Sequence, residues 1–361
     1  MPKFEAIDEK TFIKQTKPIQ DTPYGEKVLA YSMRVPQNWT KGDDRSSSNF
    51  ILSKKLFLEL VSYHGKPTII GRSRVEVQAL NLEENLTAVQ WYFKFLLAGG
   101  YTTEGLVAHN DNKIESLRVV TEDNYSYYMR TLVTINGEKI IMVRHYVPVQ
   151  IIKQQGAMQE KVVSSFKLTH EIPRKDVATS SYKFLDVAEA FYPESWESIA
   201  KPLRSADRME ASLVNIKKFK SATNHSRSNR METLTEGTVD VLLVSFSNQS
   251  SLLDEIEQYK KFFETKGVLL HEKIPNKKKY SYHENIDFAL TEVYRGADST
   301  NNLSEFEIWF TVMVGGNYYY FITLLTPSRN EQFTTWAENT RSYELIIQRF
   351  SPMSGAFLSR D

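Results

Sequence analysis

The chain has 361 residues, 41% of them apolar and 25% charged, enough material for two domains with sizeable cores. Its net charge is +1 and it contains no cysteine. That balance removes any global field favouring nucleic acid or an anionic membrane, and the absent thiols exclude disulfides, thiolate metal sites and cysteine nucleophiles.

No segment approaches the roughly 18 uninterrupted apolar residues of a membrane-spanning helix. The opening Met1-Pro2-Lys3-Phe4-Glu5 lacks the apolar core of an export signal. The chain as it stands therefore reads as cytoplasmic by default, and as periplasmic or envelope-located if it is a mature form.

Residues 1–25 mix charge with Pro18, Pro23 and Gly25 and read as an extended N-terminal arm. Tyr31, Met33 and Val35 alternate with polar neighbours as a strand, which Pro36 ends because proline cannot donate to a ladder. Leu56, Leu58 and Leu60 predict a second strand, and Val75, Val77 and Ala79 a third. Leu82, Leu86, Val89, Phe93, Leu96 and Leu97 fall at helical spacing, with Asn81 as the predicted N-cap and Gly99-Gly100 as the stop. Leu117 to Val119 and Tyr127 to Ile135 read as strands. Asn136-Gly137 signals a tight hairpin returning over Ile140 to Val147, and Val162, Val163 and Phe166 form one face of a closing helix.

The second half repeats this plan. Pro36-Gln37-Asn38-Trp39 recurs as Pro193-Glu194-Ser195-Trp196, an offset of 157. Leu86, Tyr92, Lys94, Phe95 and Gly100 recur as Leu253, Tyr259, Lys261, Phe262 and Gly267, an offset of 167, and Asn136-Gly137 recurs as Gly315-Gly316, an offset of 179. Landmarks that keep their order while the offset grows through loops indicate a duplicated domain. Ser212 to Phe219 and Val239 to Phe246 read as strands, and Leu252, Leu253, Ile256, Tyr259, Phe262 and Phe263 as a helix stripe. A hairpin follows over Glu307 to Leu325, then a closing helix over Ala337 to Phe350.

The expected organisation is an arm (1–25), a first domain (26–168), a linker (169–182), a second domain (183–352) and a tail (353–361). The fold class is α+β: two tandem three-layer α/β/α sandwiches, each an antiparallel sheet flanked by helices. The short bridge also suggests domains packed on each other.

This pattern resembles the PsbP/DcrB-like fold. The matching positions are Pro36, Trp39, the helix 83–98 and Val162-Val163-Ser164-Ser165-Phe166-Lys167, then Pro193, Trp196, the helix 250–265 and Ile346-Ile347-Gln348-Arg349-Phe350. The resemblance implies largely non-enzymatic work: extrinsic subunits of photosynthetic complexes, envelope lipoproteins, chaperones of secreted effectors, a binder of a small GTPase. It carries no shared catalytic residues, and this chain lacks the lipoprotein cysteine and a signal segment.

Side-chain chemistry adds little to this. No two of the seven histidines share metal-ligand spacing, and His283, Glu284 and Asp287 sit beside Lys277-Lys278-Lys279, which opposes a cation. Nucleotide-binding and acyl-transfer signatures are missing. No catalytic residue, cofactor or metal is therefore expected. The candidate partner-binding residues are the basic loop Lys217, Lys218, Lys220, Arg227 and Arg230, the triplet Lys277, Lys278 and Lys279, and the aromatic hairpin residues Tyr318 and Tyr320.

The leading expectation is a non-catalytic structural subunit binding other proteins, in a bacterial envelope or secretion-system assembly, with no nucleic-acid partner. The alternatives are a chaperone or adaptor for a secreted effector, and a small-ligand binder or enzyme with an interdomain cleft. Function is expected where the copies differ: the loop 217–230, the segment 295–304 and the longer last helix.

Overall fold

A computed structural model describes residues 1–2, 4–42, 57–82, 85–201, 207–220, 231–246, 251–265, 267–298 and 305–357. The chain divides into two compact units, Met1–Asp176 and Val177–Asp361. The first runs α1 (Glu9–Gln15), β1 (Thr16–Asp21), β2 (Tyr31–Pro36), β3 (Thr40–Lys41), β4 (Leu58–His64), β5 (Arg74–Asn81), α2 (Ala88–Ala98), β6 (Gly105–Asn110), β7 (Lys113–Glu122), β8 (Tyr125–Asn136), β9 (Lys139–Pro148), α3 (Ile152–Ser164) and β10 (Lys167–Leu168). The second runs β11 (Thr179–Phe184), β12 (Ala188–Pro193), β13 (Trp196–Ala200), β14 (Arg208–Lys220), β15 (Met231–Ser245), α4 (Leu252–Thr265), β16 (Val268–Ile274), β17 (Phe288–Asp298), β18 (Glu305–Gly315), β19 (Tyr318–Pro327), α5 (Phe333–Arg349) and β20 (Ser351–Pro352).

Each unit has a seven-stranded antiparallel sheet and a three-stranded one, and the order of strands is the same in both. The large sheets run β3-β4-β5-β9-β8-β7-β6 and β13-β14-β15-β19-β18-β17-β16; the small ones run β1-β2-β10 and β11-β12-β20. This is an α+β fold in two parts. Three strands are laid down as a meander, a helix crosses the sheet, and four more strands return so that β9 pairs with β5, and β19 with β15, at the centre.

Central strands are covered on both faces, so consecutive residues belong to different cores. On β9, Ile141 and Val143 join Val75, Val77 and Leu132 against Val162, Val163 and Phe166 of the α3 region and Tyr31, Met33 and Val35 of β2. Their neighbours Ile140 and Met142 face the other way, with Ile114, Val133 and Ile135, against Ala88, Tyr92 and Leu96 of α2. The second unit repeats the three layers. Tyr343, Ile346, Ile347 and Phe350 cover one face, and Tyr259 and Phe263 the other. Gly237 admits α5 closely, since a Cβ there would sit 2.3 Å from Nδ2 of Asn339.

The N-terminal arm is not extended. Asp8 caps α1 by accepting from the Thr11 amide at 3.0 Å, Phe12 is buried in the first core, and β1 pairs with β2 over six residues. Charge and two prolines masked this. Pro18 lies on an edge strand, where a missing donor costs nothing, and Phe12, with Ile7 and Ile19 packed beside it, anchors the segment.

The linker and the tail also belong to the fold. Asn136 is buried; its Nδ2 donates to the carbonyls of Val28 and His170 (2.8 Å each) and its Oδ1 accepts from Ile172 N at 2.6 Å. The Gly137 amide then donates to Ile172 O at 2.9 Å. In the second unit, Asn317 N donates to Ala356 O at 2.7 Å, within the helical turn Ser354–Phe357. The chain after each closing helix therefore clamps the central hairpin. The hairpin turns are Gly137–Glu138 and Gly316–Asn317, one residue later than the Asn-Gly signal placed them, and the first residue of each has positive φ (53° and 58°).

Helix α2 starts at Ala88 and not near residue 83. Thr87 and Gln90 form a reciprocal capping box, while Asn81 ends β5. Its inward stripe is Ala88, Tyr92 and Leu96, leaving Phe93 and Leu97 exposed. Leu56, residues 299–304 and residues 358–361 lie outside the described residues.

Two outcomes follow. Phe12→Ala should cost about 3 kcal/mol in urea denaturation, where a solvated arm would give no change. His145 is buried edge-on against Trp39 at 5.3 Å, and burial, seconded by the Arg130 charge, lowers its imidazole from 6.5 to about 3. The unfolded ring protonates near 6.5 and the folded one near 3, so the unfolded state holds more protons between them. Stability should be complete above 6.5 and fall as pH drops through that window, by up to ~1.4 kcal/mol per pH unit, and His145→Leu should flatten the slope in pH-dependent unfolding.

Candidate interaction surface

The expected basic residues divide among different environments. Lys217, Lys218 and Lys220 are not in a loop. They continue β14 past a bulge at Asn215/Ile216 and pair with Leu234, Thr233 and Met231 of β15. Strand alternation outruns the apolar pattern there, which is why the charges looked like a loop. Lys217 bonds Glu236 at 2.8 Å, and Arg227 and Arg230 lie outside the described residues. Lys277, Lys278 and Lys279 are all exposed, and Lys278 reaches Glu344 of α5 at 2.8 Å.

Tyr318 and Tyr320 are not surface contacts. Both are buried in the core beneath α5, with the Tyr320 ring 5.0 Å from Phe350 and its hydroxyl donating to Gly315 O at 3.0 Å. The hairpin does present an aromatic face, of the opposite parity. Tyr319 lies on the α4 side, its ring 4.3 Å from Phe246. Register aligns Val244, Tyr319, Val314 and Phe288 as one row across four strands, with Leu290 two residues further along β17. Phe246, Phe288 and Leu290 are 37%, 47% and 42% exposed. In the first unit the positions matching Tyr319, Val314 and Leu290 are Ile140, Ile135 and Ile114, all buried. One copy covers this end of the sheet and the other leaves it open.

Further along the same face, apolar rows give way to polar ones in both units. In the first, Ser62, Glu76, Arg144, Thr131 and Ser116 line up across β4, β5, β9, β8 and β7, and every one is buried. The next row holds Arg74, Tyr146, Met129 and Arg118. Arg74 bonds Glu76 at 2.6 Å, pairs with Glu122 and stacks 3.6 Å over Tyr146. Burial first, then the Glu76 charge, pushes the Tyr146 phenol well above its usual range.

In the second unit Lys201 bonds Asp240 at 3.0 Å and Arg208 bonds Glu255 at 2.6 Å, around a depression of about 250 Å³ that Tyr259 and Phe262 also line. Glu292 is bonded by Lys273 (2.6 Å), Lys260 (3.2 Å) and Tyr294. Burial works against its charge, but these bonds hold the carboxylate at about 2. Among the described residues no group of three or more His, Asp or Glu could hold a metal.

Sequence reasoning missed these polar rows, although the signal was present. Arg74, Glu76 and Gln78 alternate with Val75, Val77 and Ala79, so one parity of a central strand is polar over three successive positions before Leu80.

No protein-family model matches the chain, and no curated protein matches it. Solved structures give distant likenesses. The cyanobacterial PsbP of Synechocystis sp. PCC 6803 is 16% identical, covering 43% of this chain and 94% of that one, with a TM-score of 0.30. The Ran-binding protein Mog1p of Saccharomyces cerevisiae is 11% identical, covering 51% and 100%, with a TM-score of 0.32. TplEi, a type VI secretion immunity protein of Pseudomonas aeruginosa, is 10% identical, covering 90% and 94%, with a TM-score of 0.22. A PsbP, the relative expected from the sequence, is thus among the structures this chain is similar to.

The parity assignment has a direct check. Tyr320→Ala should destabilise by ~3 kcal/mol or more, as for other buried aromatics. Tyr319→Ala, half-buried at the rim, should cost ~1 kcal/mol or less in chemical denaturation.

Proposed function

We propose that this protein is a non-catalytic interaction subunit that binds another protein through the apolar patch of Phe246, Tyr319, Phe288 and Leu290 on the second unit. The observation that carries this reading is the contrast between the copies. Phe246, Phe288 and Leu290 are each more than a third exposed beside the half-buried Tyr319, whereas the first unit buries Leu82, Ile114 and Ile140 at the positions matching Phe246, Leu290 and Tyr319 and has a polar residue, Asn112, where Phe288 stands. Exposed apolar rows rimmed by polar groups suit partner surfaces, and aromatic anchors dominate the binding energy of such contacts.

The ionisable groups lend support. Lys201, Glu210 and Asp240 are spent on one another at the depression, and Glu292 on two lysines, which suits a frame more than acid/base work. The exposed Lys277 and Lys279 favour an acidic rim on the partner. The partner is proposed to be another subunit of a bacterial envelope or secretion assembly.

The test is affinity capture of the full chain from native cells at low and high salt. A stoichiometric partner should persist at high salt, because apolar contact is not screened. The double variant Phe288→Ser, Leu290→Ser should keep its thermal stability and lose partner affinity by about tenfold or more. Recovery of the lone chain at both salt concentrations, or full partner binding by the double variant, would overturn the reading.

A further inference from the structure

The buried polar rows of the first unit contain an imbalance that the partner surface does not explain. Three arginines, Arg74, Arg118 and Arg144, and three carboxylates, Glu59, Glu76 and Glu122, lie on one face of the large sheet. Glu76 and Glu122 are engaged by Arg74, and no ion pair among the described residues joins Glu59 to Arg118 or Arg144. Arg118 and Arg144 make no ion pair among the described residues, although they are only 3% and 6% exposed. Nε and Nη1 of Arg118 find no acceptor, and the Nε of Arg144 donates to the thioether of Met142 at 2.8 Å. The hydroxyl of Thr131, directly across the strand pair from Arg144, also lacks a partner.

An uncompensated guanidinium in a protein interior is costly, and stacking offsets only part of that cost. Arg118 lies 4.1 Å over the Tyr101 ring and Arg144 lies 5.1 Å over Phe57. Burial, with the Arg144 charge adding to it, lowers the Arg118 guanidinium below its ordinary value, which places the two cations within electrostatic reach of each other. Two neighbouring buried guanidiniums with spare donors, and a hydroxyl between their strands, are complementary to an acceptor-rich anion.

We infer that the first unit binds a small oxyanion, a phosphate or carboxylate group, between Arg118 and Arg144 with Thr131 as an additional donor. The second unit provides an internal comparison. The positions matching Arg118, Arg144 and Thr131 are Tyr294, Thr323 and Phe310, so the same frame there carries no such charge. The site belongs to one copy only, as the apolar row belongs to the other. It does not rest on the partner-binding proposal, and either can fail alone.

Phosphate, sulfate and acetate are each titrated calorimetrically into the full chain at constant ionic strength, with chloride as control. The expected result is saturable binding of at least one oxyanion with Kd of about 1 mM or tighter, and a Tm that rises with the logarithm of ligand concentration above Kd. A response to phosphate and sulfate assigns a tetrahedral ligand, and one to acetate a carboxylate. Arg118→Gln should weaken binding about tenfold or more. Should that variant fail to fold, Arg118→Tyr, which installs the second unit's residue, takes its place. No saturable response from any of the three oxyanions in the wild-type chain overturns the inference. Equal affinity in wild type and variant overturns it as well.

Discussion

The structure depends on one constraint: the central strands of each sheet must be covered on both faces, and a short helix cannot cover a long strand. Helix α2 has 11 residues, a span of ~16 Å, whereas β8 has 12 residues and spans ~40 Å. On the opposite face α3 is supplemented by the small sheet, so cover is complete, and the core there is apolar except for the buried Arg130–Glu115 pair, His145 and Gln159. On the α2 face cover runs out, and something other than an apolar core must occupy the remainder. The first unit fills it with arginines, carboxylates and tyrosines. The second fills it with ion pairs at one end and leaves an apolar row open at the other. Both proposed sites lie where the helix stops.

The two units accordingly share a frame and differ in its filling. Strand order, hairpin position and the clamp after the closing helix are the same, because they solve the same covering problem. The side chains that differ, Arg118 against Tyr294 and Ile114 against Leu290, sit on the half-covered face, where the frame places few demands. A change there alters a surface without disturbing the β5–β9 or β15–β19 pairing.

Much of this frame was legible in the sequence, because period-two alternation and two-residue turns are local signals. The strand at Val75 to Ala79, both central hairpins and the last turn of the closing helix at Val162 and Val163 are of this kind. What escaped depends on distant partners. The arm is ordered by Phe12 reaching the core, and the supposed linker by Asn136, whose three bonds go to residues 34 to 108 positions away. Helix α2 was begun too early because Leu82 and Leu86 are buried without being helical. The parity of Tyr318, Tyr319 and Tyr320 could not be read, since a strand flanked by two helices carries apolar residues on both sides. The arginine rows were readable as alternation, but a polar parity is ordinarily a solvated one.

The clamp on each hairpin also orders events during synthesis. The turn at Gly137 is closed by Ile172, and Arg174 donates to Leu86 O at 2.7 Å, so the first unit lacks its final contacts until those residues leave the ribosome. The second unit waits for Ala356 in the same way. Each central hairpin is thus synthesised before its clamp, leaving a window in which nascent strands with unpaired edges are open to wrong pairings between two copies of the same strand order.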